Sequence, residues 1–189
     1  VKTSAGSGKI EAENVIIATG SSHIDLPFMP CDEEFVISST GALDLEALPK
    51  SVAIVGGGYI GLELGCALAK LGSKITVVEG MSSVLAIMDK EIRRPLEMWL
   101  KKHKVTVHTD SLARGVEIKG RGASKKAELT FEKDGTEHNV KVDKVLVTVG
   151  RKPNTKGWGL ENTGIRMDGS GRFIRTDRQC RTSVPGVYA

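Results

Sequence analysis

Val52-Ala53-Ile54-Val55-Gly56-Gly57-Gly58-Tyr59-Ile60-Gly61 is the most informative stretch of the chain. Its β-branched apolar run reads as a strand, and Gly56, Gly58 and Gly61 follow in a GxGxxG spacing that opens a helix reaching about Leu71. Gly72 suits the left-handed position just past that helix, and a second extended run, Lys74 to Glu79, comes next. Strand, glycine turn, helix and strand make a βαβ unit, so the two strands are parallel. GxGxxG alone is a weak signal. Here it has the context of a dinucleotide site, including a carboxylate, Glu79, placed 18 residues after Gly61 at the end of the second strand.

Each part of such a site has a physical task. Gly56 permits the tight strand-to-helix turn, Gly58 lets the backbone approach a pyrophosphate without a Cβ between them, and Gly61 lets the helix lie close to the strands. Gly57, Tyr59 and Ile60 complete the candidate stretch, whose free N–H groups and positive helix-dipole end would stabilise a diphosphate without a lysine or a metal. No GxxxxGK[ST] occurs, which disfavours a nucleotide triphosphatase. A carboxylate at Glu79 accepts hydrogen bonds from ribose hydroxyls but repels a 2′-phosphate, and Gly80–Leu85 contains no Arg, Lys or His to offset it. The expected ligand is therefore NAD(H) rather than NADP(H). A bare tight turn with no ligand is the competing reading.

Outward from this unit the pattern repeats. Asp89 begins an amphipathic helix with Ile92, Leu96, Trp99 and Leu100 at spacings of three and four, and Val105-Thr106-Val107 resumes extended structure. Beyond Leu112 the helical period gives way to alternating stretches around Gly115–Ile118, Ala127–Phe131 and His138–Val142, with the hairpin signal Asp134-Gly135 between the last two. The apolar run Val145–Val149 reads as a buried parallel strand. Asn14–Ala18 and Phe35–Ile37 read as short strands. The expected fold is α/β, a three-layer Rossmann-like parallel sheet of FAD/NAD(P)-binding type with an inserted antiparallel β-meander.

Composition closes off other classes. Of 189 residues, 27 Lys and Arg face 23 Asp and Glu, a net +4 without aromatic interleaving, which makes no nucleic-acid footprint. The basic run Lys101–Lys104 falls at a helix C-terminus, where cations favour the dipole. No apolar run is long enough for a membrane span, so no membrane partner is expected. Three cysteines, Cys31, Cys66 and Cys180, are too few and too far apart for a disulfide framework or zinc knuckle, and Cys66 reads as a small apolar filler. His23, His108 and His138 stand apart without metal-ligand spacing, so no metal and no catalytic residue is assigned. The start, lacking an initiator Met, reads as that of a fragment.

The chain resembles the pyridine nucleotide–disulfide oxidoreductase family of flavoproteins. The resemblance rests on Ala18-Thr19-Gly20-Ser21, Ser39-Thr40-Gly41-Ala42-Leu43, Gly56 through Glu63, Thr148-Val149-Gly150-Arg151-Lys152-Pro153-Asn154, and Cys180 through Ala189. The second and last of these point within the family to its dihydrolipoamide dehydrogenase branch. The resemblance implies an NAD-binding domain, 41–154, inserted into a split FAD domain whose pieces are 1–40 and 155–189. It implies that Gly56–Gly61 holds the pyrophosphate, that Glu63 lies near the nicotinamide, that Glu79 binds the adenine ribose, and that Ala113 and Gly150 give backbone contacts. Thr19, Gly20 and Ser21 would lie near FAD.

For a full-length enzyme the resemblance further implies FAD, a redox-active disulfide, a dimerisation domain, a role in cell redox homeostasis, and partnership with a 2-oxo acid dehydrogenase complex. The setting would be bacterial cytoplasm or mitochondrial matrix. This sequence has no CxxxxC pair and no second glycine fingerprint for FAD, so the chain alone is expected to bind NAD and to be catalytically incomplete. The alternatives are another two-dinucleotide flavoprotein, of NADH oxidase or mercuric reductase type, and a stand-alone nucleotide-binding module.

Overall fold

A computed structural model describes residues 2–3 and 6–189. Their contacts divide the chain into two compact units, His23–Gly150 and the chain up to Ser22 together with Arg151–Ala189.

The unit His23–Gly150 contains, in chain order, β1 (Val36–Ile37), α1 (Ser39–Leu43), β2 (Ser51–Val55), α2 (Tyr59–Leu71), β3 (Lys74–Val78), α3 (Lys90–Lys102), β4 (Thr106–His108), β5 (Ser111–Lys119), β6 (Lys126–Lys133), β7 (Thr136–Val142) and β8 (Lys144–Val147). Five strands form one sheet in the order β1-β8-β2-β3-β4, parallel throughout. β5, β6 and β7 form a separate antiparallel meander. The expected α/β architecture is present.

The three layers follow from strand periodicity. Along β2, Val52 and Ile54 face one way and pack with Leu62 and Leu68 of α2, Leu100 of α3, and Ile75 and Val77 of β3. Ala53 and Val55 face the other way and pack with Val78, Val145 and Val147 and with the meander residues Ala127, Leu129, Phe131 and Val142. The sheet is thus covered on both faces, which is why its strands read as unbroken apolar runs. Fully burying each of these Val, Leu, Ile or Phe side chains contributes about 1.5–3 kcal/mol relative to leaving it exposed.

Helix ends follow their local chemistry. Gly72 closes α2 at φ +111°, and the Gly72 N–H donates to Ala69 O at 3.1 Å. α3 begins after Asp89 and keeps Pro95 inside its second turn. Lys101 and Lys102 lie in its last turn, as the dipole favours. The Ser39–Leu43 motif folds as the short helix α1, which Ser38 nucleates by accepting hydrogen bonds from the N–H groups of Thr40 at 3.1 Å and Gly41 at 3.4 Å.

Element bounds differ from the sequence reading in two places that matter. The strand expected over Val145–Val149 stops at Val147, because the Thr148 side chain turns to backbone oxygens of the glycine turn. The meander begins at Ser111 rather than near Gly115, since Leu112 and Ala113 pair with Glu132 and Phe131. Between Ala113 and Gly115 the ladder carries an extra residue, Arg114, opposite the Thr130/Phe131 step.

In the other unit, Val15–Ile16 pairs in parallel with Val187–Tyr188, a shorter strand than the expected Asn14–Ala18. No helix among the described residues is long and apolar enough to cross a membrane.

Candidate functional site

The glycine turn lies at the C-terminal end of β2, and a tie to each neighbouring strand end fixes its path. The Gly56 N–H donates to Val78 O of β3 at 2.9 Å, and the Thr148 hydroxyl, just past β8, donates to Gly56 O at 3.0 Å. Downstream of β3, the Leu85 N–H donates to Gly57 O at 2.9 Å.

The glycines of the motif answer to different constraints. Gly56 has φ +102°, and a Cβ on it would lie 2.8 Å from Thr148 O. A Cβ on Gly61 would lie 2.5 Å from both Gly56 O and Thr148 Oγ1, so this glycine is set by helix-to-strand packing. Gly57 is buried, and a Cβ there would meet Val84 Cγ1 at 2.9 Å and Glu79 Oε2 at 3.1 Å. Gly58 is unlike all three. Its φ of −77° and ψ of 179° suit any residue, and a Cβ on it would meet no protein atom within 4 Å. Nothing among the described residues requires glycine at 58.

Gly58 caps α2 without a side-chain hydrogen bond, and the first bond closing on the helix is Leu62 N–H to Gly58 O at 3.0 Å. The N–H groups of Tyr59, Ile60 and Gly61 precede it and have no intrahelical acceptor. No acidic residue lies in the first turn of α2. Tyr59 is exposed, Ile60 half-buried, and Glu63 exposed one turn further along.

Glu79 follows β3 directly and is half-buried. The Gly57 N–H donates to its Oε2 at 2.5 Å and the Met81 N–H to its Oε1 at 2.7 Å. The carboxylate therefore braces the glycine turn itself, and each oxygen keeps a second lone pair for an outside donor. The Ser111 N–H donates to Glu79 O at 2.9 Å, which ties the start of the meander to the same corner.

The structure brings Gly56, Gly57, Gly58, Gly61 and Glu79 into one corner. Gly150 stands two residues beyond Thr148 with φ +143°, accepts from the Ile24 N–H at 3.1 Å, and has Ile24 Cδ1 3.2 Å from where its Cβ would be. Ala113 is half-buried on β5, paired with Phe131, and no described hydrogen bond links it to the turn. In the other unit, Thr19, Gly20 and Ser21 are bound to the segment after Gly150: Thr19 Oγ1 donates to Asn154 O at 2.8 Å, the Asn154 N–H to Gly20 O at 3.0 Å, and Arg151 Nε to Ser21 Oγ at 2.7 Å.

Two residues that shape the site went unassigned in the sequence. Thr148 joins β8 to the turn, and its signal was a small polar residue interrupting the apolar run Val145–Val149. Val84 is buried against Gly57; its available cue was that it opens the apolar stretch Val84-Leu85 after Gly80-Met81-Ser82-Ser83. The histidines read as isolated are not all so. His108 and His138 flank Phe131, at ring separations of 4.8 and 5.4 Å. Burial first, then the charges of Lys133 and His138, push His108 below its ordinary 6.5. His23 lies beside Cys31 and Glu33, a cluster that spacing alone did not suggest.

Comparison with known proteins gives the family of the chain. The sequence model of the family described as "Pyridine nucleotide-disulphide oxidoreductase" matches residues 1–189. The chain is 45% identical over 94% of its length to a dihydrolipoyl dehydrogenase of Geobacillus stearothermophilus, of which it covers 36%. It is 41% identical over 95% of its length to the mitochondrial dihydrolipoyl dehydrogenase of Dictyostelium discoideum, of which it covers 37%. The crystal structure of LpdA from Mycobacterium tuberculosis superimposes with a TM-score of 0.86 at 34% identity, over all of this chain and 39% of that one. The chain thus spans little more than a third of the length of these relatives.

Proposed function

The chain belongs to the pyridine nucleotide-disulphide oxidoreductase family, and on that premise we propose that it is the NAD(H)-binding portion of a dihydrolipoyl dehydrogenase. The observation that carries the proposal is Gly58: a glycine that no backbone angle or protein contact demands, at the N-terminus of a 13-residue helix with free N–H groups. A missing side chain facing open space at that position suits a ligand whose atoms come where a Cβ would stand.

In this proposal the backbone N–H groups of Tyr59, Ile60 and Gly61 hold the pyrophosphate, aided by the helix dipole. Glu79 accepts from the adenine ribose hydroxyls with the lone pairs that Gly57 and Met81 leave unused. Glu63, exposed one turn into α2, and Gly150, past Thr148, lie toward the nicotinamide end. When bound, NAD supplies a hydride acceptor at its nicotinamide ring; the protein's contribution is to bind it, orient it and select against its 2′-phosphorylated analogue. Two like charges 4 Å apart repel by at most about 4 kcal/mol at an effective dielectric of 20, and solvent lowers this. A preference for NADH over NADPH of roughly tenfold to a few hundredfold follows.

In the whole enzyme, as we read it, electrons pass from a dithiol through a redox disulfide and FAD to NAD, with Thr19, Gly20 and Ser21 beside the flavin. The remainder of the FAD and dimerisation domains and a 2-oxo acid dehydrogenase complex are its partners. All three cysteines of this chain are free, and no two form a CxxxxC pair, so the chain by itself does not oxidise dihydrolipoamide. Calorimetric titration with NADH and NADPH at fixed salt tests the binding proposal. Saturable NADH binding with weaker NADPH binding is expected; equal affinities would remove Glu79 as selector, and no binding of either would remove the site.

A further inference from the structure

We propose that His23, Cys31 and Glu33 form a zinc-class metal site, separate from the glycine turn. One ligand atom from each, an imidazole nitrogen, a sulfur and a carboxylate oxygen, lie within 4.8 Å of one another. Tetrahedral zinc, at about 2.0–2.3 Å from nitrogen, oxygen and sulfur donors, sets neighbouring donors about 3.3–3.8 Å apart. The three atoms therefore need close by at most about 1–1.5 Å, a shift that side-chain torsions supply.

The donors stand on a backbone already held in place. The Ile24 N–H, next to His23, donates to Gly150 O at 3.1 Å. Met29, in the intervening turn, is fully buried. Asp32 Oδ1, between Cys31 and Glu33, accepts from the N–H groups of Glu34, Phe35 and Val36 at 2.7–2.9 Å. Glu33 is anchored by one oxygen, Oε2, which accepts from the Ser38 N–H at 3.1 Å, leaving Oε1 available. From outside the set, Asp25 Oδ1 lies 3.3 Å from His23 Nε2 and accepts from the Cys31 N–H at 3.3 Å. One carboxylate thus orients two of the ligand residues, the arrangement by which outer carboxylates fix metal-binding histidines.

Charge and chemistry select the ion. Asp25, Asp32 and Glu33 gather around the thiol, and among the described residues no lysine or arginine forms an ion pair with Asp25 or Glu33. One sulfur, one imidazole and one carboxylate suit a borderline divalent cation; calcium and magnesium take oxygen ligands only. On binding, the Cys31 S–H bond breaks as the S–metal bond forms, the proton leaves to solvent, and no electron is transferred. Glu33 is exposed, so water completes the coordination and the ion has a path in.

The test uses the tag-free, chelator-treated chain, titrated with Zn2+ against a chromophoric chelator, and with Co2+ while following thiolate-to-cobalt charge transfer in the near ultraviolet. The expected result is one zinc per chain and a charge-transfer band. Cys31→Ser abolishes the band and weakens zinc binding about a hundredfold or more, the upper end of what losing even an outer-shell partner costs. Cys180→Ser changes neither. Glu33→Gln, whose amide oxygen can still accept from Ser38, weakens binding without disturbing the fold, and NADH binding with far-ultraviolet dichroism reports that each variant is folded. No stoichiometric zinc in the parent chain, or a band that survives Cys31→Ser, overturns the proposal.

Discussion

Replacing Gly58 and Gly61 by alanine in two separate variants distinguishes a glycine kept for a ligand from one kept for packing. At Gly61 the new methyl would stand 2.5 Å from Gly56 O, 2.5 Å from Thr148 Oγ1 and 2.9 Å from Ile54 Cγ2. Two of these belong to the turn and to the hydroxyl that ties it to β8, so relief requires α2 to move off the sheet. Overpacking of this kind costs about 1–3 kcal/mol, and each kcal/mol lowers Tm by about 2–4 °C for a chain of this length. Gly61→Ala is therefore expected to melt about 2–12 °C lower. At Gly58 the methyl meets no protein atom within 4 Å and the backbone stays in its ordinary conformation. The gain from a stiffer unfolded chain, about 0.4–1 kcal/mol, and the small loss of a glycine cap nearly cancel, so Tm should stay within about 3 °C. NADH affinity should nonetheless fall tenfold or more, about 1.4 kcal/mol, because in the proposed binding mode the methyl would take the place of the pyrophosphate. Thermal melts give the first quantity and calorimetry the second. Unaltered NADH binding by Gly58→Ala would refute the reading of that glycine, and an unchanged Tm for Gly61→Ala would refute the packing account.

Glu79→Gln keeps one acceptor for the Gly57 or Met81 N–H and loses the other, so Tm should fall by an amount reflecting about 1.5–3 kcal/mol while the NADH-to-NADPH preference shrinks toward one; melting and paired titrations check both. Because His108 is held below its usual 6.5 chiefly by burial, the folded state favours neutral imidazole, and the stability this contributes is complete above about pH 6.5 and declines as pH falls toward the lowered value. Urea melts from pH 7.5 to 5 should show that decline, and His108→Gln should flatten it. Asp143 is raised by burial but lowered further by hydrogen bonds from Lys126 and Ser51, so its contribution holds above the usual 3.8 and fails only as acid carries the protein through the depressed value; Asp143→Asn should remove that acid limb. In the metal-free chain Cys31 is pushed up to about 12, by burial first and then by Asp25, Glu33 and Asp32, so iodoacetamide at pH 8 should label exposed Cys180 well before Cys31; peptide mapping over time reads the order.

What the sequence made legible was what depends on local pattern. Val52–Val55, Gly72 and the 3.6-residue spacing of Leu96, Trp99 and Leu100 each specify their element through short-range sterics or one inward face, and the structure has those elements, while Ile92 of the same stripe is exposed. The Asp134-Gly135 turn specified the β6–β7 hairpin in the same way. Features set by contacts between distant segments were not legible. Val36–Ile37 joins the parallel sheet beside Val145–Leu146, more than a hundred residues away, and two β-branched residues carry no record of that neighbour. Thr148 lies 92 residues from the carbonyl it bonds, and His23 meets Cys31 and Glu33 only because the chain turns back through Leu26 and Met29.

These long-range ties also bear on how the site works. Gly56 is bonded from both of its peptide groups, to β3 through its N–H and to Thr148 through its carbonyl; Gly57 is bonded likewise, to Glu79 and to Leu85. Four bonds from three separate parts of the chain thus fix the two residues before Gly58, two of them between backbone groups and two made by the Glu79 and Thr148 side chains. A turn so held loses little conformational freedom when a ligand arrives, since ordering a backbone residue costs about 1–2 kcal/mol and these are already ordered. The same economy makes Glu79 serve twice. Its carboxylate bonds the turn at Gly57 before any ribose is present, so the group that would choose the cofactor is also one that shapes the cradle. Selectivity and turn geometry are then not separable at this position, and a variant that relaxes the choice between NADH and NADPH should also loosen the turn. At Gly58 they are separable, because none of the described residues uses the space its side chain would fill.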